Sequence, residues 1–213
     1  MRSEPIFVEL AGLPGSGKST TVRHLTAEHV TVWNAGLRKL GRRDVIQHPF
    51  AVTKQFMRWR SLSLQWSDKR AVLRVLRRRI SQDLVSGKAS SLVLFEEGIT
   101  QYIWRTLFLV PDLSAEPWGP FLDVKYPLIA LDADPALLRS RILAKDNGGP
   151  INDRLGGIPA GSVDWARAEG LYEQTLAHAS HYRQVVRVDA AGDVSSTIER
   201  VRDVIRAYSR AFD

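Results

Sequence analysis

The chain reads as a three-layer α/β fold, a five-stranded parallel sheet with helices on both faces. Three observations predict it. Short apolar runs alternate with longer stretches of helical spacing, the order produced when each strand is followed by a helix crossing back over a parallel sheet. The first apolar run leads into a glycine-rich turn and then into good helix formers, residues 12–20, GLPGSGKST. A length of 213 residues at 44% hydrophobic composition suffices for one substantial core, so a single domain over 1–213 with inserts is expected.

The strands fall at 6–11, 30–33, 91–95, 128–132 and 185–189, each a compact apolar run. Helices are expected at 18–28, 51–66, 68–86, 100–109, 135–144, 163–182 and 194–208. In the second, Val52, Phe56, Trp59, Leu62 and Trp66 recur at helical spacing, as do Val72, Leu73, Leu76, Ile80 and Leu84 in the third. Such stripes belong to a core. On the opposite face of the third helix, Arg70, Arg74, Arg77 and Arg78 fall together.

Two segments resist regular structure. Residues 111–127 hold four prolines and a Trp-Gly pair and read as a folded-over loop. Residues 145–161, KDNGGPINDRLGGIPAG, carry five glycines and two prolines among charged residues, the composition of a lid that closes over a site or of a long surface loop.

Charge is concentrated. Of the net +7, residues 38–79 carry +11 and the remainder −4. The basic stretch lies within 35–90, between the second and third strands, where it serves either as a solvated helix face or as an attractor of phosphate-rich partners. Cysteine does not occur, which excludes disulfides, thiolate metal sites and cysteine nucleophiles. No apolar run approaches the roughly 20 residues of a membrane span, and no charged-then-apolar leader opens the chain. A soluble, cytoplasmic protein with no membrane partner is expected.

Gly12-x4-Gly17-Lys18-Ser19 fits the phosphate-binding loop G-x-x-x-x-G-K-[ST]. Its glycines let successive backbone N–H groups curl inward, and the following helix presents its positive end. In that motif Lys18 reaches the β and γ phosphates and the Ser19 hydroxyl ligates Mg²⁺. The nucleotide-binding residues expected here are Gly12, Pro14, Gly15, Ser16, Gly17, Lys18, Ser19 and Thr20. No guanine-reading Asn-Lys-x-Asp follows a late strand, and the strand ending at Asp132 runs into Ala-Asp-Pro. The chain has no room for the subdomains of motor or transporter ATPases. Small phosphate-loop kinases remain.

The chain resembles the nucleoside and nucleotide kinases of the thymidylate-kinase-like group. Four stretches carry the resemblance: FVELAGLPGSGKST, SLVLFEEGITQ, LIALDADPALLRSRI and VVRVDAAGDVSSTIERVRDVI. It implies ATP and Mg²⁺ as cofactors, held through Lys18, Ser19 and Thr20. Glu96 matches the acid that orients Mg²⁺ or accepts the acceptor's proton, with Glu97 as its rival; two adjacent carboxylates ask for a nearby metal or arginine, and their other reading is an acid at a helix N-terminus. Arg141 matches the arginine packed on the adenine or its phosphates, Lys145 and Arg154 the cations that close with the lid, and residues 189–192, Ala190 among them, the adenine-side loop.

Two departures stand out. Thymidylate kinases carry an acid directly before the first loop glycine, where this chain has Ala11, and the arginine that clamps a monophosphate is missing from Glu96-Glu97-Gly98. A free-hydroxyl acceptor is therefore as plausible as a monophosphate. Contacts to it are expected from Trp33, Asn34, Arg38, Arg42, Asp44, Arg58, Arg74, Gln101 and Arg105, with Gln101 about one helical turn past Glu96. Three readings follow: a kinase of a nucleoside, nucleotide or similar small molecule; a kinase of a hydroxymethylated base or terminus in DNA, which would employ the basic segment 38–79; and a nucleotide-gated binding module with weak ATPase activity. Self-association as a homodimer stays open.

Overall fold

The computed structural model describes residues 6–26, 31–33, 92–96, 98–110, 118–124, 126–146 and 163–210. Along these the chain forms β1 (Phe7–Gly12), α1 (Lys18–Thr26), β2 (Thr31–Trp33), β3 (Val93–Phe95), α2 (Ile99–Leu109), α3 (Gly119–Leu122), β4 (Leu128–Asp132), α4 (Pro135–Asp146), α5 (Trp165–Ser180), β5 (Val185–Asp189) and α6 (Val194–Arg210). The sheet is five-stranded, in order β2-β3-β1-β4-β5, and every pairing is parallel. The α/β class, the strand number and all five strand positions agree with the sequence. The helices expected at 51–66 and 68–86 lie outside the described residues.

Alternation along the central strands divides the interior into two cores. Ala11, Leu128 and Ala130 face α2, α4 and α5, packing with Ile99, Ile103, Trp104, Leu107, Leu138, Tyr172 and Leu176. Val8, Leu10, Ile129 and Leu131 face the other way, onto Val22 and Leu25 of α1 and Ile198, Val201 and Ile205 of α6. Helices thus cover both faces, which a parallel sheet requires because its strands expose apolar side chains on both sides. Trp104 anchors the first core. It is stacked on Phe108, edge-on to Tyr172, and its indole N–H donates 2.9 Å to Ala168 O.

Helix starts follow the sequence closely. Asp134 accepts from Ala136 N at 2.7 Å to cap α4, with Pro135 in its first position. Asp164 caps α5 through Arg167 N at 2.9 Å, and Asp193 caps α6 through Ser196 N at 2.9 Å. Each supplies a side-chain oxygen to an orphan N–H of the first turn. α2 begins instead at Gly98, in extended conformation and with no side chain to offer.

Two expectations need correction. Within 111–127, α3 spans Gly119–Leu122, and Trp118, Phe121 and Leu122 are fully buried; the apolar residues of this stretch roof the first core, which converts a loop into a packed turn of helix. α4 also runs on through Asp146, so the first two residues of the expected lid, 145–161, continue a helix, and the rest lies outside the described residues.

Candidate active site

Because β1 has β3 on one side and β4 on the other, the loops leaving its C-terminal end enter the crevice where strand order reverses, the usual place for a ligand in an open α/β sheet. Residues 12–20 begin there. Gly15 and Gly17 take φ values of +83° and +89°, in the left-handed region open to glycine. A Cβ on Gly15 would sit 2.7 Å from Leu138 O of α4, whereas one on Gly17 would meet nothing within 4 Å. The loop is thus braced on the α4 side and open on the other. Ser16 N donates to Leu13 O at 3.1 Å and Thr21 N to Gly17 O at 2.9 Å, turning the loop into α1. Pro14 and Thr20 are half-buried beside it.

Lys18 folds back over the loop. Its Nζ donates to Gly12 O at 2.5 Å, Leu13 O at 3.1 Å and Ser16 Oγ at 3.4 Å, and the residue is 7% exposed. An ammonium held over the loop's amides is placed to meet an anion there. Next to it, Ser19 Oγ donates 2.5 Å to Glu96 Oε1 at the tip of β3. These residues are 77 positions apart, and the β1–β3 pairing brings them together. Two oxygen donors of the hard type that Mg²⁺ takes converge at one point.

Gln101 lies in the first turn of α2, and its Oε1 accepts from Gly12 N at 3.2 Å. It therefore reaches the cleft, with its oxygen spent on the phosphate loop. Arg105 follows one turn later, half-buried.

Arg141 of α4 reaches the loop after β5. Its guanidinium donates to Ala190 O at 2.8 Å, Ala191 O at 3.3 Å and Gly192 O at 3.2 Å, fastening the loop after β5 to α4. That loop is fixed from the other side by Ala190 N, which donates to Asp132 O at 2.6 Å. Asp189 accepts from Ala191 N at 2.8 Å and from Arg200 at 3.3 Å. These donors, the Ala191 amide first and Arg200 next, hold its carboxyl below the usual carboxylate range.

Glu97, Asn34, Arg38, Arg42, Asp44, Arg58, Arg74 and Arg154 lie outside the described residues. So does the basic segment 38–79 as a whole. Trp33 is described only as the last residue of β2.

The sequence reading missed a buried ion pair under the site. Glu9, in the middle of β1, is 0% exposed; its Oε2 accepts from Arg183 Nη1 at 2.8 Å and its Oε1 from Thr100 N at 2.8 Å. Arg183 also donates to Thr100 Oγ1 and lies 5.8 Å from the centre of the Tyr126 ring. The available signal was an acid inside an apolar strand, two residues before Ala11 and on the same face. A carboxylate there is tolerated only with a partner, and no local pattern announces Arg183.

Among the described residues, no helix is long and apolar enough to cross a membrane. No family model matches the chain, and no curated protein matches its sequence. Solved structures do match. Three are of a deoxyadenosine kinase from M. mycoides: one with the products dCMP and a flexible dCDP, one with dATP and one with dCTP. They align with TM-scores of 0.57, 0.57 and 0.56 at 14% identity, over 95%, 94% and 95% of this chain and 100% of theirs. At that identity the likeness speaks for architecture: the chain has the α/β phosphate-loop fold found in a deoxynucleoside kinase.

Proposed function

We propose that the protein is an ATP-dependent kinase that transfers the γ-phosphoryl group to a hydroxyl or monophosphate of a nucleoside, nucleotide or similar small molecule. The observation that carries this reading is the 2.5 Å contact between Ser19 Oγ and Glu96 Oε1 beside a lysine-capped glycine loop. Phosphoryl transfer asks a protein mainly for positioning and charge neutralisation, and each part has a candidate residue.

The loop amides of residues 12–20 and the N-terminus of α1 would cradle the triphosphate. Lys18, released from Gly12 O and Leu13 O, would pair with the β and γ phosphates. Ser19 and Glu96 fit Mg²⁺, which is commonly held by one or two protein oxygens together with substrate phosphates and needs no larger cluster. Bound there, Mg²⁺ would neutralise charge on the β and γ oxygens. With Glu96 turned toward the metal side, Glu97 is the carboxylate left to accept the acceptor's proton. Arg141 would hold the loop carrying Ala190 against the adenine, and Arg154 would add charge from the lid. Asn34, Arg38, Asp44, Arg58, Arg74, Gln101 and Arg105 form the acceptor-side pool. The dCMP, dATP and dCTP in the similar kinase structures support a nucleoside or nucleotide acceptor.

The test is incubation with γ-labelled ATP and Mg²⁺ against nucleosides, nucleoside monophosphates, hydroxymethylated DNA and small alcohols. Label should appear on a nucleoside or nucleotide. Absence of transfer to every acceptor, with no ATP affinity by calorimetry, overturns the proposal. The +11 charge of residues 38–79 favours a second reading, a nucleic-acid acceptor in a cytoplasmic DNA-modifying kinase. A steep loss of activity between low and physiological salt would mark it, since each phosphate contact releases counterions.

A further inference from the structure

α2 starts without a cap of its own. Where α4, α5 and α6 each begin with an aspartate bonded to the first turn, α2 begins with Gly98. Its second residue, Thr100, nevertheless has its N–H satisfied, by Glu9 of β1 at 2.8 Å. That is the bond a capping side chain makes to the second or third N–H of a helix, delivered here from a different strand. Gly98 is what lets it through, because a Cβ at that position would fall 2.0 Å from Glu9 Cδ.

The same residue lies beside the other end of the turn. In the β1–β3 ladder Glu9 is the register partner of Phe95, the residue immediately before Glu96. Glu9 therefore lies alongside the strand that enters the segment carrying Glu96 and bonds to the helix that leaves it. Gln101, adjacent to Thr100, adds a second tie from α2 to Gly12. Arg183 makes the arrangement electrostatically possible. It neutralises the buried carboxylate, which would otherwise be costly, and its second nitrogen engages the Thr100 hydroxyl. The N–H and the hydroxyl of Thr100 are thus taken up by the pair.

We infer that Glu9 is a positioning residue for Glu96, acting as a cap of α2 supplied from β1, with Arg183 as the paired cation that keeps it aimed. What Glu96 then does rests on the kinase reading above; its placement does not.

Three variants separate placement from simple stabilisation. Glu9→Met with Arg183→Met removes both charges and the cap at similar volume, an exchange that buried pairs often tolerate. Glu9→Gln with Arg183→Met removes the charges but keeps an oxygen facing Thr100 N. Glu9→Asp keeps the charge but withdraws the carboxylate by one methylene. The first double variant should melt within a few degrees of the parent yet lose about 100-fold in kcat, the scale of a misplacement of around 1 Å within a catalytic site. Its KM for ATP should move by less than about threefold, because ground-state binding is retained. The Gln double variant should recover most of the lost kcat, and Glu9→Asp should lie between.

Amide exchange at Thr100 supplies a readout that does not need activity: fast in the Met double variant, protected in the Gln double variant. Wild-type kcat in the folded Met double variant, or an equal loss in both double variants, overturns the inference. If the Met double variant does not fold, Glu9→Asp with unchanged kcat and unchanged Thr100 exchange does the same. If the parent protein phosphorylates nothing, the kinase reading fails by itself, and exchange at Thr100 still decides whether Glu9 caps α2.

Discussion

Ser19 and Glu96 are joined by a 2.5 Å hydrogen bond from the hydroxyl to carboxylate Oε1, which makes one oxygen site out of the first turn of α1 and the tip of β3. A site shared in this way should fail as a unit. Ser19→Ala and Glu96→Gln are each expected to lower kcat/KM by about 10²- to 10³-fold, the scale of losing one electrostatic contact to a transition state. The double variant should fall little further, since residues acting together are strongly non-additive. Steady-state kinetics with varied Mg²⁺ checks this; multiplicative losses would assign the two residues to separate tasks.

The loop glycines should separate by readout. Gly15→Ala places a methyl 2.7 Å from Leu138 O at φ +83°, so it should destabilise by roughly 1–3 kcal/mol. For a chain of this size, that lowers Tm by about 2–4 °C per kcal/mol. Gly17→Ala shares the positive φ but meets nothing within 4 Å, so it should cost less stability and more ATP affinity, its methyl pointing into the open side of the loop. Calorimetric melting and ATP titration of both proteins settle the order.

Removing the Arg141 guanidinium frees three backbone carbonyls, at Ala190, Ala191 and Gly192. Arg141→Met keeps the stem and should raise KM for ATP about tenfold, equivalent to 1.4 kcal/mol, while KM for the acceptor stays near its parent value. Since the group is half-exposed, stability should change by less than about 1 kcal/mol. An acceptor KM that rises in step with that of ATP would place Arg141 elsewhere in the mechanism.

Acid should loosen the same loop through Asp189. Its carboxyl is held low in the folded chain by Ala191 N–H and Arg200, so the ionised form adds stability above the unfolded pKa of about 4. That contribution disappears as pH falls through the lowered folded value. Asp189→Asn should therefore melt below the parent at neutral pH, with the gap closing under about pH 4. Glu199, held low mainly by its hydrogen bond from Arg202, titrates with the same sign, and Glu199→Gln should behave alike. A gap that widens in acid would reverse the assignment.

Legibility from sequence followed the range of the interactions concerned. The strands Leu128–Asp132 and Val185–Asp189 have the bounds their apolar runs predict, because acids and helix caps punctuate them within a few residues. The phosphate loop and the aspartate caps at 134, 164 and 193 are local patterns as well. α3 escaped notice because a four-residue turn beginning with Gly-Pro carries no period; only its place over the first core reveals that Trp118, Phe121 and Leu122 are interior. The bond from Gly12 N to Gln101 was not legible either, since nothing near Gln101 in the chain indicates that partner.

Residue order alone settled the alternation of strand and helix, the glycine loop, and the presence of an acid after β3, because each depends on neighbours within about one helical turn. The parallel order β2-β3-β1-β4-β5 decided the rest. It set Ser19 against Glu96 across 77 positions and Glu9 against Arg183 across 174. Such pairings arise when strands distant in the chain become neighbours in the sheet, and a buried carboxylate has a partner only after that packing has brought one to it.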